Sequence, residues 1–502
     1  MFLPKQVLQG GVWQFASVTL RAILQLGILG ILARHVSPQE FGLIAIANIT
    51  ISFTRIFSQV GLGPAIIQRK ELSSNHLRVG FSLTMLLSCF FFSVIWILAP
   101  PIALFFKEES VIPVLKVIGL SFLLEAPGVI SESLLERELK FKSLLFINIS
   151  TYTLGYGCVG IVLALKNFGV WAIVIATLVQ ILFKTILLLI CHPYPMKPLI
   201  VGKEIGDLIA FGGGLTLSRI FNIGALQGDY LIVGHFLGVA ALGLYERVFR
   251  IMLLPVRYFG EALDRVMFPA MSRMQADSEK LLDFYTTSIS LVNFFLMPLS
   301  ALLILVAPEL VLILLGSDWM EVVIPLQILL FSISILTSSR MADALVRATG
   351  AVYQSTLVKL FYALFVLLFS WLGHFKGITG VVIGVNTAIL TNYILMLKLS
   401  TVILHCSWRR LLKTSISGLI LFIYVLLVGW GTSSILGILN FPAIYIFFLT
   451  SFFVLFSVLF LITMSYVTVK SNTSKFLLSP LRHIGLTSLS FLNLFKTSLK
   501  HG

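Results

Sequence analysis

The chain has 502 residues, of which 58% are hydrophobic and only 11% charged, with a mean hydropathy of +1.02. That balance excludes a soluble globular protein and specifies an all-α polytopic membrane protein. The formal net charge of +15 would point to nucleic acid in a soluble chain. Here it is ascribed to loops on one membrane face and to a basic interior, and no nucleic-acid partner is expected. The four cysteines, Cys89, Cys158, Cys191 and Cys406, are scattered in or beside apolar runs without metal-ligand spacing. No metal site, cofactor or disulfide framework is expected.

A membrane crossing needs about 20 apolar residues. Taken in order, the chain offers about fourteen such spans, near 10–33, 41–64, 80–105, 111–130, 144–165, 168–191, 207–233, 241–270, 284–315, 322–340, 354–373, 377–400, 412–436 and 442–466. The first is too long for the core of a cleavable signal and is read as a span. Between spans, 21 Lys and Arg fall on one side and only Arg34, Lys107, Lys166 and Lys376 on the other. The positive-inside rule then makes both termini cytoplasmic. The segment after residue 467 reads as a cytoplasmic tail.

The chain also repeats. Gly10 and Gly11 open the first span, and Gly212–Gly214 lie in the seventh; Phe41-Gly42 begin the second, and Leu242-Gly243 begin the eighth. LLER at 134–137 resembles ALVR at 344–347. This divides the chain into a six-helix lobe (1–191), a cytoplasmic linker (192–206), a second six-helix lobe (207–402), two added spans (403–466) and the tail (467–502). Six spans per lobe give both repeats one orientation, with the pseudo-axis along the membrane normal and transport sites between the halves.

Eleven cations remain inside spans. Lys184, Arg265, Arg340 and Lys359 are expected to snorkel to an interface. Arg21, Arg55, Arg219 and Arg257 sit deeper and have polar company. Gln14, Ser17, Arg21 and Gln25 share one helix face, and Asn48, Ser52, Arg55 and Gln59 share another. The eighth span is the most charged. On a helix, Glu246, Arg250, Arg257, Glu261 and Asp264 fall within about 60° of one another. Glu246/Arg250 and Arg257/Glu261 are spaced for i,i+4 pairing. One reading is a long amphipathic helix on the membrane surface. The other, favoured by the apolar runs 253–255 and 266–270, is the charged wall of a water-filled cavity, because a charge at mid-bilayer costs roughly 2.5–3.5 kcal/mol.

Three stretches carry a family resemblance: ARHVSPQEFGLIAIANI (33–49), GLGPAIIQRKELS (61–73) and LLERELKFK (134–142). They resemble the polysaccharide-transporter, or Wzx-type flippase, branch of the multidrug/oligosaccharidyl-lipid/polysaccharide (MOP) exporter superfamily. GHFLGVAALGLYERV (234–248) is similar to that branch's connection between spans seven and eight, with His235 standing where the pattern has arginine. The resemblance covers about residues 10–350. It implies a V-shaped fold of two pseudo-symmetric lobes alternating between inward-open and outward-open states. It also implies a bacterial inner-membrane flippase for polyprenyl-pyrophosphate-linked oligosaccharides, with glycan polymerase or glycosyltransferase partners.

By motif position, Arg21, Arg55 and Arg257 match the superfamily's cavity arginines, and Arg219 and Arg250 join them as expected substrate contacts. Arg55 and Arg257 are expected to face each other across the cavity. The resemblance further implies coupling to H+ or Na+. Asp229, Glu261 and Asp264 are then candidate coupling carboxylates, or else simple partners of neighbouring arginines.

Other functions fit less well. A cation-drug exporter of the same superfamily favours an acidic or neutral cavity. A membrane glycosyltransferase or polymerase needs catalytic carboxylates or a nucleotide-sugar site on large loops, and no phosphate-cradling Gly motif stands out. A scaffold has no use for intramembrane cations.

Overall fold

In a computed structural model of the protein, residues 24–58, 62–69, 72–202 and 227–467 are described, together with Leu20. Among the described residues the secondary structure is helical throughout, with no strand. In chain order the helices are α1 (Leu24–Ala33), α2 (Pro38–Ser58), α3 (Leu62–Gln68), α4 (Ser74–Phe106), α5 (Val111–Ile118), α6 (Leu120–Glu125) and α7 (Gly128–Arg137). Next come α8 (Phe141–Ser150), a π-helical stretch Thr151–Cys158, α9 (Val159–Leu165) and α10 (Val170–Cys191). A π turn, Val233–Leu237, precedes α11 (Val239–Met274), α12 (Ser278–Leu305), α13 (Ala307–Leu314), α14 (Val323–Leu330) and α15 (Ile333–Ala348). The last helices are α16 (Val352–Gly373), α17 (Gly377–Ile403), α18 (Trp408–Lys413), α19 (Ile416–Ile438) and α20 (Ala443–Val467).

Helix occupies each expected span wherever its residues are described. Seven helices among them are long and apolar enough to cross a membrane, or up to nine when each bent pair counts as one span. Large apolar side chains cover the outside, among them Leu104 and Phe452, 79% and 62% exposed, which water would not tolerate on this scale.

Local chemistry fixes the helix ends. Ser37 and Glu40 form a reciprocal N-terminal cap for α2: the Ser37 N–H donates to Glu40 Oε2 (2.8 Å) and the Glu40 N–H to Ser37 Oγ (3.4 Å). The other oxygen of Glu40 accepts the Val170 N–H at 3.0 Å, so one carboxylate caps α2 and α10 together. Gly169 makes room for it, since a Cβ there would lie 1.9 Å from Glu40 Oε1 and the residue sits at φ +55°.

The chain packs as two compact units. Among the described residues, the first runs to Arg247 and also takes Leu314–Trp319 and Ala363–Val381; the second takes Val248–Ile313, Met320–Tyr362 and residues 382–467. In the first unit, Leu62, Ile66, Val79, Ile130 and Leu134 form one core and Leu135, Leu144, Ile147 and Leu188 another. The chain after α10 is tied to this unit. Ser131 Oγ donates to His192 O (2.8 Å), Arg78 Nε to Lys197 O (3.1 Å) and the Leu199 N–H to Ser82 Oγ (2.8 Å). In the loop after α7, Lys140 and then His192 bond to Glu138 and hold its carboxyl down at about 2.

Helices α2 and α11 cross within the first unit at two glycines. A Cβ on Gly42 would come 1.9 Å from Val239 O, and one on Gly243 1.8 Å from Pro38 O. These are the two glycines matched in the sequence repeat, and each lies against the backbone of the other's helix. Any side chain at either position must push the helices apart.

Two spans are broken at corresponding places in the repeat. The run 111–125 meets 128–137 at 50°, and Ser317–Leu330 meets α15 at 42°. In the first, Pro127 has no N–H and cannot continue the ladder. The freed carbonyls are satisfied laterally, by Thr185 Oγ1 to Leu124 O (2.8 Å) and Tyr194 Oη to Pro127 O (2.9 Å). In the second unit Asn386 does the same work at Ser332, accepting from its hydroxyl at 2.6 Å and donating to Ile328 O at 2.5 Å. Irregular backbone inside a membrane protein requires such partners. Elsewhere in the second unit, α19 packs on α12 around Ala301, Leu302 and Val425, and Asn293 Nδ2 donates to Ser415 Oγ at 2.8 Å.

Candidate substrate site

Helix α2 is buried along Phe41–Ala47 and again at Ile49 and Ile51, while Asn48, Ser52 and Arg55 stay partly open. The polar face read from the sequence is therefore the open face. Thr50 and Thr54 spend their hydroxyls on the carbonyls of Ile46 and Thr50, at 2.9 and 2.7 Å. Arg55 lies in the last turn, where a cation suits the helix dipole.

Its guanidinium reaches the break in the fourth span. Arg55 Nη2 lies 2.7 Å from Glu125 Oε2, with the two side chains 39% and 29% exposed. Glu125 ends α6, one residue before the Ala126–Pro127 break. A small pocket opens here, lined by Arg55, Thr84, Ser88, Phe122, Glu125, Ala126 and Val129. Sequence reading passed over Glu125. A signal existed, since a carboxylate deep in an apolar span just before a proline is a functional candidate by default.

The charged stripe of α11 divides. Arg250 and Arg257 are exposed; seven residues apart, they project from one side of the helix about 10 Å from each other. Glu246 and Arg247 are buried and form an ion pair, with Arg247 Nη2 2.5 Å from Glu246 Oε2. Adjacent residues on a helix do not normally face each other, and i,i+4 spacing gave no notice of this pair; burial favours its mutual neutralisation. The Arg247 guanidinium also lies over the Phe41 ring, 4.2 Å from its centroid. Phe41 meets Trp319 edge-on at 5.4 Å, and Trp319 Nε1 donates to Ala33 O at 2.9 Å.

Asp229 is buried nearby, and the Tyr245 hydroxyl donates to its Oδ2 at 2.5 Å. Of the other expected residues, Arg21 and Arg219 lie outside the described residues, as do the side chains of Glu261, Asp264 and Arg265. His235 turns its Nδ1 to Phe105 O, at 2.6 Å, and its ring is tilted against that of Phe105. Of the cations expected to snorkel, Lys184 binds both oxygens of Glu132 (2.7 and 2.9 Å) and Lys359 lies 3.2 Å from Asp343 Oδ1. Glu132 lies on α7 and Asp343 on α15, so each lysine is paired with a carboxylate of another helix.

Residues 31–324, more than half the chain, match the family described as polysaccharide biosynthesis protein. The chain belongs to that family. Arg55, Glu125, Asp229, Arg250 and Arg257 all fall inside the family's matched region. The succinoglycan biosynthesis transport protein ExoT of Rhizobium meliloti (strain 1021) is 26% identical over 339 residues, 66% of this chain and 67% of the relative. The lipopolysaccharide biosynthesis protein WzxC of Escherichia coli (strain K12) is 24% identical over 331 residues, 66% of this chain and 67% of the relative.

Among solved structures, the lipid II flippase MurJ in an inward closed conformation superposes with a TM-score of 0.72 at 14% identity, covering 92% of this chain and all of that one. An inward-facing multidrug resistance MATE transporter of the MOP superfamily gives 0.61 at 15% identity, covering 76% and 96%. The fold is thus that of the MOP superfamily, and the protein is a multi-pass membrane protein.

Proposed function

We propose that the protein is a flippase. It carries polyprenyl-pyrophosphate-linked oligosaccharide repeat units, destined for O antigen, capsule or exopolysaccharide, across the bacterial inner membrane by alternating access. The observation that carries this reading is Arg55, a half-exposed guanidinium held in a pocket at a broken membrane span. A pyrophosphate crossing the bilayer brings anionic charge into a medium that penalises it by roughly 2.5–3.5 kcal/mol per charge. Guanidinium forks match phosphate oxygens in geometry as well as charge. Arg250 and Arg257, exposed on α11, supply further cations of the same kind. Arg21 belongs with them by motif position, and Arg219 as a cation deep within an apolar span.

The family's named relatives act in glycan pathways: ExoT is named for succinoglycan transport and WzxC for lipopolysaccharide biosynthesis. In this reading no bond of the substrate is made or broken, and the protein is not an enzyme. Both termini are cytoplasmic, as the Lys and Arg bias requires. The lobes 1–191 and 207–402 are the moving parts, joined by the linker 192–206, with fourteen crossings in all. An H+ or Na+ gradient drives the cycle through Asp229, Glu261 or Asp264. Lipid-linked repeat units come from glycosyltransferases and pass to a polymerase.

The experiment is the fate of those units in cells lacking the protein. They should accumulate unpolymerised, with their glycans shielded from probes applied outside the inner membrane. Normal surface glycan in such cells, with no parallel transporter present, would overturn the reading.

A further inference from the structure

A guanidinium within an apolar span is stabilised by a nearby anion when no substrate is bound. The structure places one within reach: Glu125 Oε2 at 2.7 Å from Arg55 Nη2, across the sequence from α2 to the break in the fourth span. A carboxylate oxygen at this distance takes a position on the guanidinium that a phosphate oxygen takes in a charge-assisted pair. We propose that Glu125 is the resident counter-anion of Arg55, displaced by the substrate's pyrophosphate on loading and returned to the guanidinium on release. This rests on Arg55 being an anion-binding side chain, as set out above.

Three features suit the exchange. Glu125 is the last residue of α6, beside the bend at Ala126–Pro127, and its carboxylate can exchange partners by rotation about its own side-chain bonds without moving the helix. Its side chain is 29% exposed in the pocket, so a displaced carboxylate has room to be hydrated there. The neighbouring Thr84 hydroxyl is bonded to the carbonyls of Gly80 and Phe81 within α4 and does not hold Glu125 in place. A carrier gains from such a competitor. Binding must be strong enough to load a diphosphate and weak enough to release it, and an internal carboxylate lowers net affinity without removing the fork.

The test is binding of inorganic pyrophosphate to the purified full-length protein in detergent, by calorimetry. Glu125→Gln should bind about tenfold more tightly than the wild type, since the competing charge is gone and the guanidinium remains. It should export glycan more slowly in cells, because release becomes harder. Arg55→Ala should lose pyrophosphate binding, alone and combined with Glu125→Gln. A structural role for Glu125 predicts the opposite sign. If Glu125→Gln binds no more tightly than wild type while Arg55→Ala loses binding, the exchange is overturned and the Arg55 site stands. If Arg55→Ala binds as well as wild type, the anion-site reading itself fails. Should Glu125→Gln not accumulate, Glu125→Asp carries the same test: retracting the carboxylate by one methylene weakens the bridge, and binding should tighten about two- to threefold. Unchanged or weaker binding overturns the proposal.

Discussion

Arg55→Ala should stop glycan export while the protein remains in the membrane at its normal level. Losing both arms of a charge-assisted fork to phosphate is worth about 3 kcal/mol, or roughly a hundredfold in binding. Arg55→Lys should restore only part of the export, because it keeps the charge and loses the planar fork. The competing account makes Arg55 a mere counter-ion for Glu125, to which it is bonded at 2.7 Å. Arg55→Ala combined with Glu125→Gln separates the two. No uncompensated carboxylate is left in the double variant, so a purely structural pair would let export recover. Continued loss at normal membrane abundance, measured by immunoblot beside surface glycan, is the expected result.

Arg257→Ala should have the second largest effect. Arg257 is exposed on α11, two turns from Arg250 on the same side. Glu261 stands four residues on, at the spacing of a helical ion pair. If Arg257 served only to neutralise Glu261, removing both together would restore export. The expectation is that Arg257→Ala reduces export by tenfold or more, about 1.4 kcal/mol or greater, and that adding Glu261→Ala brings no recovery. Restored export in the double variant would remove Arg257 from the set of substrate contacts.

Much of the fold follows from one-dimensional signals. Long apolar runs mark the helices, because in lipid a helix satisfies its own backbone. The Ser37-Pro-Gln-Glu40 stretch has the spacing of a capping box, a local signal that sequence reading passed over and the fold displays. The matched glycines Gly42 and Gly243 mark the close crossing of α2 and α11. Tertiary choices were not legible in the same way. Pro127 gives notice of the break after Glu125, but the break at Phe331–Ser332 has no proline, and its Asn386 partner comes from another span. Trp319 joins the first compact unit through a bond to Ala33, a contact with no local signature.

The site divides along the same line. Arg55 could be found because a cation among apolar residues is conspicuous, and its polar face on α2 turned out to be the open one. Its partner could not, because Glu125 lies 70 residues away in sequence and only the fold brings them together. Helical spacing did not mark the Glu246–Arg247 ion pair, since the i,i+4 rule describes solvated surfaces and both residues are buried.

The central claim is movement of a diphosphate-linked glycan from one leaflet to the other. It is tested most directly with the purified protein in vesicles that carry a polyprenyl-pyrophosphate-linked oligosaccharide, using a membrane-impermeant glycan-binding probe to count the sugars on the outer leaflet. Vesicles with the wild-type protein should bring the inner-leaflet pool within reach of the probe when an ion gradient is imposed, and vesicles with Arg55→Ala should not. Probe access no faster than in protein-free vesicles, or equally fast with Arg55→Ala, would contradict the account.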